Sequence, residues 1–299
     1  MASPRTLRAV RFIRKLRGGS QPILVQAEDD QLYVVKFLNN PQGPQVLTNE
    51  VLGTETYRMA GLPVPSWQII RLTDRFIDAN PGCWMEAGRK YIRLQAGPSF
   101  GSQYLGASIY EKVWDFLTDN ILADLQNRAD FWTAAVLDTM LEESDFRQTV
   151  FVNRDQGYRA VFVDHGGGST AAPTTNWNGN WFERVRFYDQ RVYAEFTPET
   201  VDNLYAALSR VRLEALKPIY CGLPISWKLT GFERYLRITK KISDSDWISH
   251  SGWIPEPNRI RVQSPELRGV NDRYSLNWRS GRESLLAKVS TAVGRAHFG

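Results

Sequence analysis

Residues 144–168 read SDFRQTVFVNRDQGYRAVFVDHGGG, and the fold turns on how this stretch is read. Two apolar runs, TVFV at 149–152 and YRAVFV at 158–163, flank the polar NRDQG, which is the pattern of a β-hairpin. Asp145 precedes the first run, and Asp164 closes the second directly before His165 and three glycines. A strand that ends in Asp and opens into Gly-Gly-Gly presents a carboxylate at its tip, where glycine lets backbone or ligand approach closely. Two carboxylates on adjacent hairpin ends can hold a hydroxyl nucleophile and a phosphate-bound magnesium ion. On the other reading Asp145 is a turn residue and Asp164 a strand terminator. The hairpin alone leaves both open.

Upstream of the hairpin, residues 110–125 and 129–141 carry apolar side chains at helical spacing: Val113, Phe116, Leu117 and Ile121, then Phe131, Ala135, Leu137 and Leu141. Two helices are expected, the second delivering the chain to Asp145, with Trp114 and Trp132 in the core. Further upstream, Gly18-Gly19-Ser20 forms a tight turn, PILVQA (22–27) a strand, Glu28-Asp29-Asp30 a turn and LYVVKFL (32–38) a second strand. The first turn offers backbone N–H groups to a phosphate. Lys36 lies inside the second strand between Val35 and Phe37, and alternation puts Val34, Lys36 and Leu38 on one face. A lysine among apolar residues must snorkel or be paired, unless it guards an edge strand. A partner is available in the helical pattern QVLTNEVLGTETYRMAGL (45–62), which stops at Gly61. Val46, Glu50 and Thr54 are four apart and share one face, so Glu50 can reach back to the sheet. A strand Lys held by a helix Glu is an arrangement that fixes a lysine on nucleotide phosphates.

The remainder is less informative. Pro63-Val64-Pro65 ends this layer, SWQIIRL (66–72) is a strand, and CWMEA (83–87) and KYIRLQA (90–96) are strand pieces. GPSFGSQYLG (97–106) reads as a Gly/Ser loop, either a binding loop or a crossover. Past the hairpin, residues 173–181 are turn-rich and 184–196 are a strand pair or an irregular loop. A helix begins at Pro198 with Thr197 as N-cap. An amphipathic segment follows at 231–242, and the chain from 243 has few aliphatics until a final helical pattern at 280–296.

Composition sets the bounds. The 299 residues are 42% hydrophobic and include 10 Trp, 12 Tyr and 14 Phe, enough for one large or two modest domains. Cys83 and Cys221 are far apart and the three histidines are scattered, which argues against a disulfide framework or a zinc site and fits a reducing cytoplasm. No apolar run approaches the ~18 residues of a membrane span, and the basic N-terminus has no apolar segment behind it to make a secretory signal. The net charge of +5 allows an anionic ligand without indicating nucleic acid. The opening arginines, Arg5, Arg8, Arg11, Arg14 and Arg17 with Lys15, read as a nucleic-acid contact or as the solvated face of a first strand or short helix.

At this point the residues resemble a known family. The run GGSQPILVQAEDDQLYVVKFLNNPQGPQVLTNEVLGTETYRMAGLPVP (18–65) looks like the start of the HipA-like kinases of bacteria, with their Gly-Gly-Ser turn, Val-Lys-Phe strand, Asn-Glu helix and Gly-Leu-Pro-Val-Pro exit. GPSFGSQYLG and VFVDHG are similar too, so the resemblance spans about 10–240. It implies an α+β, two-lobed protein-kinase-like fold, with a small β-rich N-lobe over 1–96, a larger, mostly helical C-lobe over 97–242 and an extension of unknown role over 243–299. It implies a cytoplasmic, ATP-dependent transfer of the γ-phosphoryl group to a hydroxyl, by the family's habit a Ser or Thr of a protein, with magnesium. Lys36 would contact the phosphates, Glu50 would hold Lys36, Asp145 would orient the nucleophile and Asp164 would bind magnesium. Gly18, Gly19 and Ser20 would form the phosphate-side loop. The family's link to toxin–antitoxin systems extends the expectation to an antitoxin-like or regulatory partner, which no residue here marks. One position departs from the pattern. Kinase catalytic loops place an Asn five residues after the Asp as a second metal ligand, and here that residue is Val150. Gln148 is the candidate substitute ligand, or Arg147 neutralises the phosphate instead. The gap raises the alternative of a pseudokinase acting as a nucleotide-binding or interaction module.

Overall fold

The structure, a computed structural model, describes residues 4–106, 113–141, 143, 148–154, 157–167, 190–194 and 197–228. Strands β1 (Thr6–Lys15), β2 (Ile23–Ala27), β3 (Leu32–Lys36), β4 (Trp67–Leu72) and β7 (Gly97–Gln103) close a barrel in the order β1-β2-β3-β7-β4. Their inward positions, among them Leu7, Ala9, Ile23, Val25, Val35, Phe37, Ile70 and Leu72, form one buried cluster. The cluster is capped by helix α2 (Asp74–Ala79) and the hairpin β5 (Met85–Ala87) with β6 (Lys90–Ile92). The barrel disposes of its edges by closure.

Three expectations change here. The segment GPSFGSQYLG is neither loop nor crossover. Its first seven residues are β7, which pairs with both β3 and β4. Gly101 explains the small side chains, because a Cβ there would stand 2.3 Å from Ile70 Cγ1. Because β3 lies between β2 and β7, Lys36 is on an interior strand and does not guard an edge. Helix α2, at 6 residues too short to show a helical period in the sequence, is capped by Thr73, whose side chain accepts from Phe76 N–H at 3.1 Å.

Helix α1 (Gln45–Met59) crosses from the barrel to the helical part, and every residue from Val46 to Tyr57 is buried. It ends as expected at Gly61, whose φ is 87°. There Gly61 N–H donates to Arg58 O and Leu62 N–H to Tyr57 O, at 3.0 Å each, the paired bonds of a Schellman end. One side of α1 packs on β4 and β7 through Leu47, Val51, Trp67 and Phe100 with Trp227. The fully buried Trp227 donates from Nε1 to Pro98 O (3.0 Å), and its own carbonyl accepts from Thr48 Oγ1 (2.8 Å). The other side enters a second core with Phe131, Phe151, Phe162 and Leu204.

That core is built by α4 (Asp130–Met140), the hairpin of β8 (Gln148–Arg154) and β9 (Gly157–Val163), and α5 (Pro198–Leu208), with α6 (Leu216–Gly222) behind. The hairpin falls where its sequence placed it, antiparallel from Gln148↔Val163 to Arg154↔Gly157. Thr197 caps α5 in a reciprocal box with Thr200, as expected. The helix expected over 110–125 is cut short: only α3 (Asp119–Ala123) is helical, and 110–112 lie outside the described residues. Trp114 exchanges backbone hydrogen bonds with Phe151 in an isolated bridge, which takes it out of any helix there, and it is 39% exposed rather than in the core. Within 184–196 the described part is a single 3-10 turn at Gln190–Val192, and the helical patterns at 231–242 and 280–296 lie outside the described residues. No helix among the described residues is long and apolar enough to cross a membrane.

Candidate active site

Three charged side chains from distant parts of the chain meet between the barrel and the hairpin. Lys36, at the end of β3, donates from Nζ to Glu50 Oε1 on α1 and to Asp164 Oδ1 just past β9. The side chains of Lys36 and Glu50 are 7% and 3% exposed, whereas that of Asp164 is 23% exposed, so the cluster opens to solvent on the Asp164 side. Burial opposes the ammonium charge, but the Glu50 and Asp164 carboxylates outweigh it and hold Lys36 above its ordinary range. Burial also pushes the Glu50 carboxyl up, to about 7, against the pull of Lys36. Both shifts have one source: two carboxylates share one cation in a place water barely reaches.

The segment after β9 is pinned to α1 by contacts that only small or specific residues permit. His165 N–H donates to Glu50 Oε2 at 3.2 Å, and Asn49 Nδ2 donates to Gly166 O at 2.9 Å. A Cβ on Gly166 would stand 2.8 Å from Val46 Cγ1 and 3.0 Å from Glu50 Oε1. A Cβ on Gly53, one helical turn after Asn49, would stand 2.4 Å from His165 Cβ. Asp164 itself takes φ 61°, a left-handed conformation that Asp tolerates better than most residues. The His165 ring lies 4.4 Å from the ring of Tyr57, whose hydroxyl reaches the Asp138 carboxylate on α4. Tyr57→Phe should therefore cost about 1.5–3 kcal/mol, the loss of a buried bond to a charged acceptor, readable as a lowered urea midpoint at constant slope.

Of the residues singled out from the sequence, Lys36, Glu50 and Asp164 are in contact. Gly18, Gly19 and Ser20 form the turn between β1 and β2, at the same end of the barrel as Lys36, since Ile23 pairs with Val35. Gln21 N–H closes that turn on Gly18 O at 3.0 Å, and Gly19 faces the Gln42 side chain in the loop after β3. Gln148 begins β8 with its backbone opposite Val163, next to Asp164; its side chain, and Asp145 as a whole, lie outside the described residues. Val150, where a second metal ligand was sought, is a strand residue opposite Val161. Among the described residues no group of three or more His, Cys, Asp or Glu side chains is placed to hold a metal ion by itself. Sequence reasoning missed Gly53, Tyr57 and Asp138. Gly53 carried a readable signal, because a glycine inside a helical pattern costs stability unless something packs against it.

Known proteins resemble this chain in fold and, over part of its length, in sequence. The structure of a Helicobacter pylori proinflammatory kinase, CtkA, superposes with a TM-score of 0.50 over 80% of this chain and 94% of that one, at 13% identity. The fold is therefore that of protein kinases, with mixed helix and strand. More particularly, residues 9–131 match the family model of the HipA-like kinases, the family that residues 18–65 resemble. A Golgi casein kinase with Mn/ADP bound aligns at 13% identity over 83% of this chain and 75% of that one, with a TM-score of 0.35. No curated protein matches the chain.

Proposed function

We propose that the protein is an ATP-dependent phosphotransferase that moves the γ-phosphoryl group to a hydroxyl, a Ser or Thr of a protein, in a cleft between a small barrel lobe and a larger helical lobe. The observation that carries this reading is the sharing of Lys36 by Glu50 and Asp164, 14 and 128 residues away in the chain. An isolated buried ion pair is an expensive structural device. A buried lysine flanked by a holding carboxylate and a second, half-open one suits a site built to exchange its charges with a ligand. Lys36 would engage phosphate oxygens while Glu50 keeps the ammonium in place. The Gly18–Gly19–Ser20 turn would bring backbone N–H groups to the phosphates. Asp145 would orient the attacking hydroxyl. The donor set among the described residues fits a magnesium ion held jointly by Asp164 and phosphate oxygens, with Gln148 as the candidate second ligand, rather than a dedicated protein cage. Such an ion would supply charge neutralisation on the transferring phosphoryl group. The chain's own part is positioning and fixed charge, the main sources of rate in such transfers.

The test is labelled ATP with the parent, Lys36→Ala and Asp164→Asn, beside thermal unfolding with ATP in the presence and absence of magnesium. The parent should label a substrate or itself and gain several degrees with ATP and magnesium together; both variants should lose labelling. Equal labelling by all three sinks the proposal. A second reading, a nucleotide-binding pseudokinase, draws on the apolar Val150 in its strand position. It is the conclusion if the parent shows the thermal gain and no transfer.

A further inference from the structure

Arg8, Arg11 and Arg14 recur at every third position of β1, and all three are exposed. In a regular strand side chains alternate, so Arg11 would point into the barrel with Leu7 and Ala9. Two bulges prevent this. Ala9 pairs with Ala27 but Arg11 with Gln26, and Phe12 pairs with Val25 but Arg14 with Leu24, so β1 carries an extra residue at each step. Arg8 is set opposite Glu28, whose N–H donates to Arg8 O at 3.0 Å. The three arginines thus face positions 28, 26 and 24 of the neighbouring chain segment, alternate positions of which Glu28 and Gln26 reach solvent and Leu24 is fully buried. Re-aiming a side chain is a recognised use of bulges. The resulting step along the row is about 7 Å, the rise of two strand residues.

The row is neutralised at one end only. Arg8 donates to Glu28 from its backbone N–H (3.0 Å) and from Nε (2.8 Å), and Arg5 lies 3.8 Å from Asp29. Arg11 faces the amide of Gln26 and Arg14 faces Leu24, and neither makes an ion pair among the described residues. Arg71 of β4, the parallel neighbour of Arg8, is exposed and adds charge of the same sign. Like charges on adjacent strands are destabilising, so a row kept at this spacing is complementary to an anionic partner.

We infer that the outer face of β1 docks an extended acidic segment of another protein, with carboxylates at alternate residues engaging Arg11 and Arg14. The chain's own turn supplies the pattern, since Glu28 and Asp29 already engage Arg8 and Arg5. An extended peptide repeats side chains on one face at the same ~7 Å step, and the guanidinium fork accepts carboxylates in two-bond geometry. A nucleic-acid single strand fits less well, because it calls for exposed aromatic platforms; the one aromatic of β1, Phe12, is half-buried beside Gly82. The docking face does not depend on the nucleotide reading.

Fluorescence anisotropy tests it, with a labelled peptide carrying Glu at alternate positions, the same peptide with Gln for Glu, and a single-stranded oligonucleotide of equal length. At low salt the acidic peptide should bind, and Arg11→Gln/Arg14→Gln should weaken it about tenfold, the loss of two exposed ion pairs. The double variant should keep the parent's unfolding midpoint and its response to ATP, and Arg11→Lys/Arg14→Lys should recover part of the affinity. Equal binding of the acidic and Gln peptides, no loss in the double variant, or tighter binding of the oligonucleotide overturns the inference.

Discussion

Lys36→Met should destabilise the protein by about 3–5 kcal/mol, because removing one member of a buried ion cluster strands the others. The substitution preserves an unbranched chain and deletes the cation that Glu50 and Asp164 share. Glu50 carries most of the penalty: the residue is 2% exposed, while the Asp164 side chain retains contact with water. The loss should also depend on pH in a defined sense. Burial raises the folded Glu50 carboxyl from 4.5 to about 7. A raised carboxyl contributes stability below its unfolded value and loses that contribution as pH rises through the folded one. Without Lys36 the pull that lowers the Glu50 carboxyl is gone and its folded value rises further, so parent and variant lose this contribution together up to about pH 7, and the gap between them should be larger at about pH 8 than at about pH 5. Urea unfolding at both pH values measures it. A gap below about 1 kcal/mol at the higher pH, the scale of an exposed pair, would contradict the buried cluster.

Gly53→Ala should destabilise by about 1–3 kcal/mol as an overpacking defect, although in an open helix the same change gains up to about 1 kcal/mol. The sign decides the matter. The new Cβ would stand 2.4 Å from His165 Cβ, and neither backbone can withdraw cheaply, since His165 N–H is tied to Glu50 and Gly166 O to Asn49. Displacing His165 drags the adjacent Asp164, so on the proposed reading the thermal gain expected with ATP and magnesium should vanish as well. His165→Gly removes the obstructing atom. Gly53→Ala/His165→Gly should be more stable than the sum of the single losses predicts, and the excess is the coupling across this contact. A stabilised Gly53→Ala would mean that α1 does not pack on the Asp-His-Gly segment.

Much of this was readable beforehand, for identifiable reasons. The β8–β9 hairpin and the end of α1 were marked by local chemistry: apolar runs around a polar turn, and a glycine where the backbone turns left-handed. Lys36 was conspicuous because a charge in an apolar strand demands a partner, and the helical spacing of Glu50 offered one. What stayed hidden was non-local. Nothing along GPSFGSQYLG reveals that Ile70 needs the space over Gly101 and that two neighbouring strands need a partner. The apolar spacing of Val113, Phe116, Leu117 and Ile121 was real, but backbone pairing of Trp114 with Phe151 outcompeted the helix. The link from His165 through Tyr57 to Asp138 joins residues up to 108 positions apart and leaves no periodic trace.

The shared ammonium of Lys36 has a thermodynamic corollary for any triphosphate and divalent ion that enter together. A cation approaching Asp164 alone must dislodge a positive neighbour, and an anion approaching Lys36 alone must dislodge a negative one. Arriving as a pair, they swap counter-ions with the protein and neither charge is abandoned. On the proposed reading each ligand therefore raises the affinity for the other, reciprocally and by the same factor.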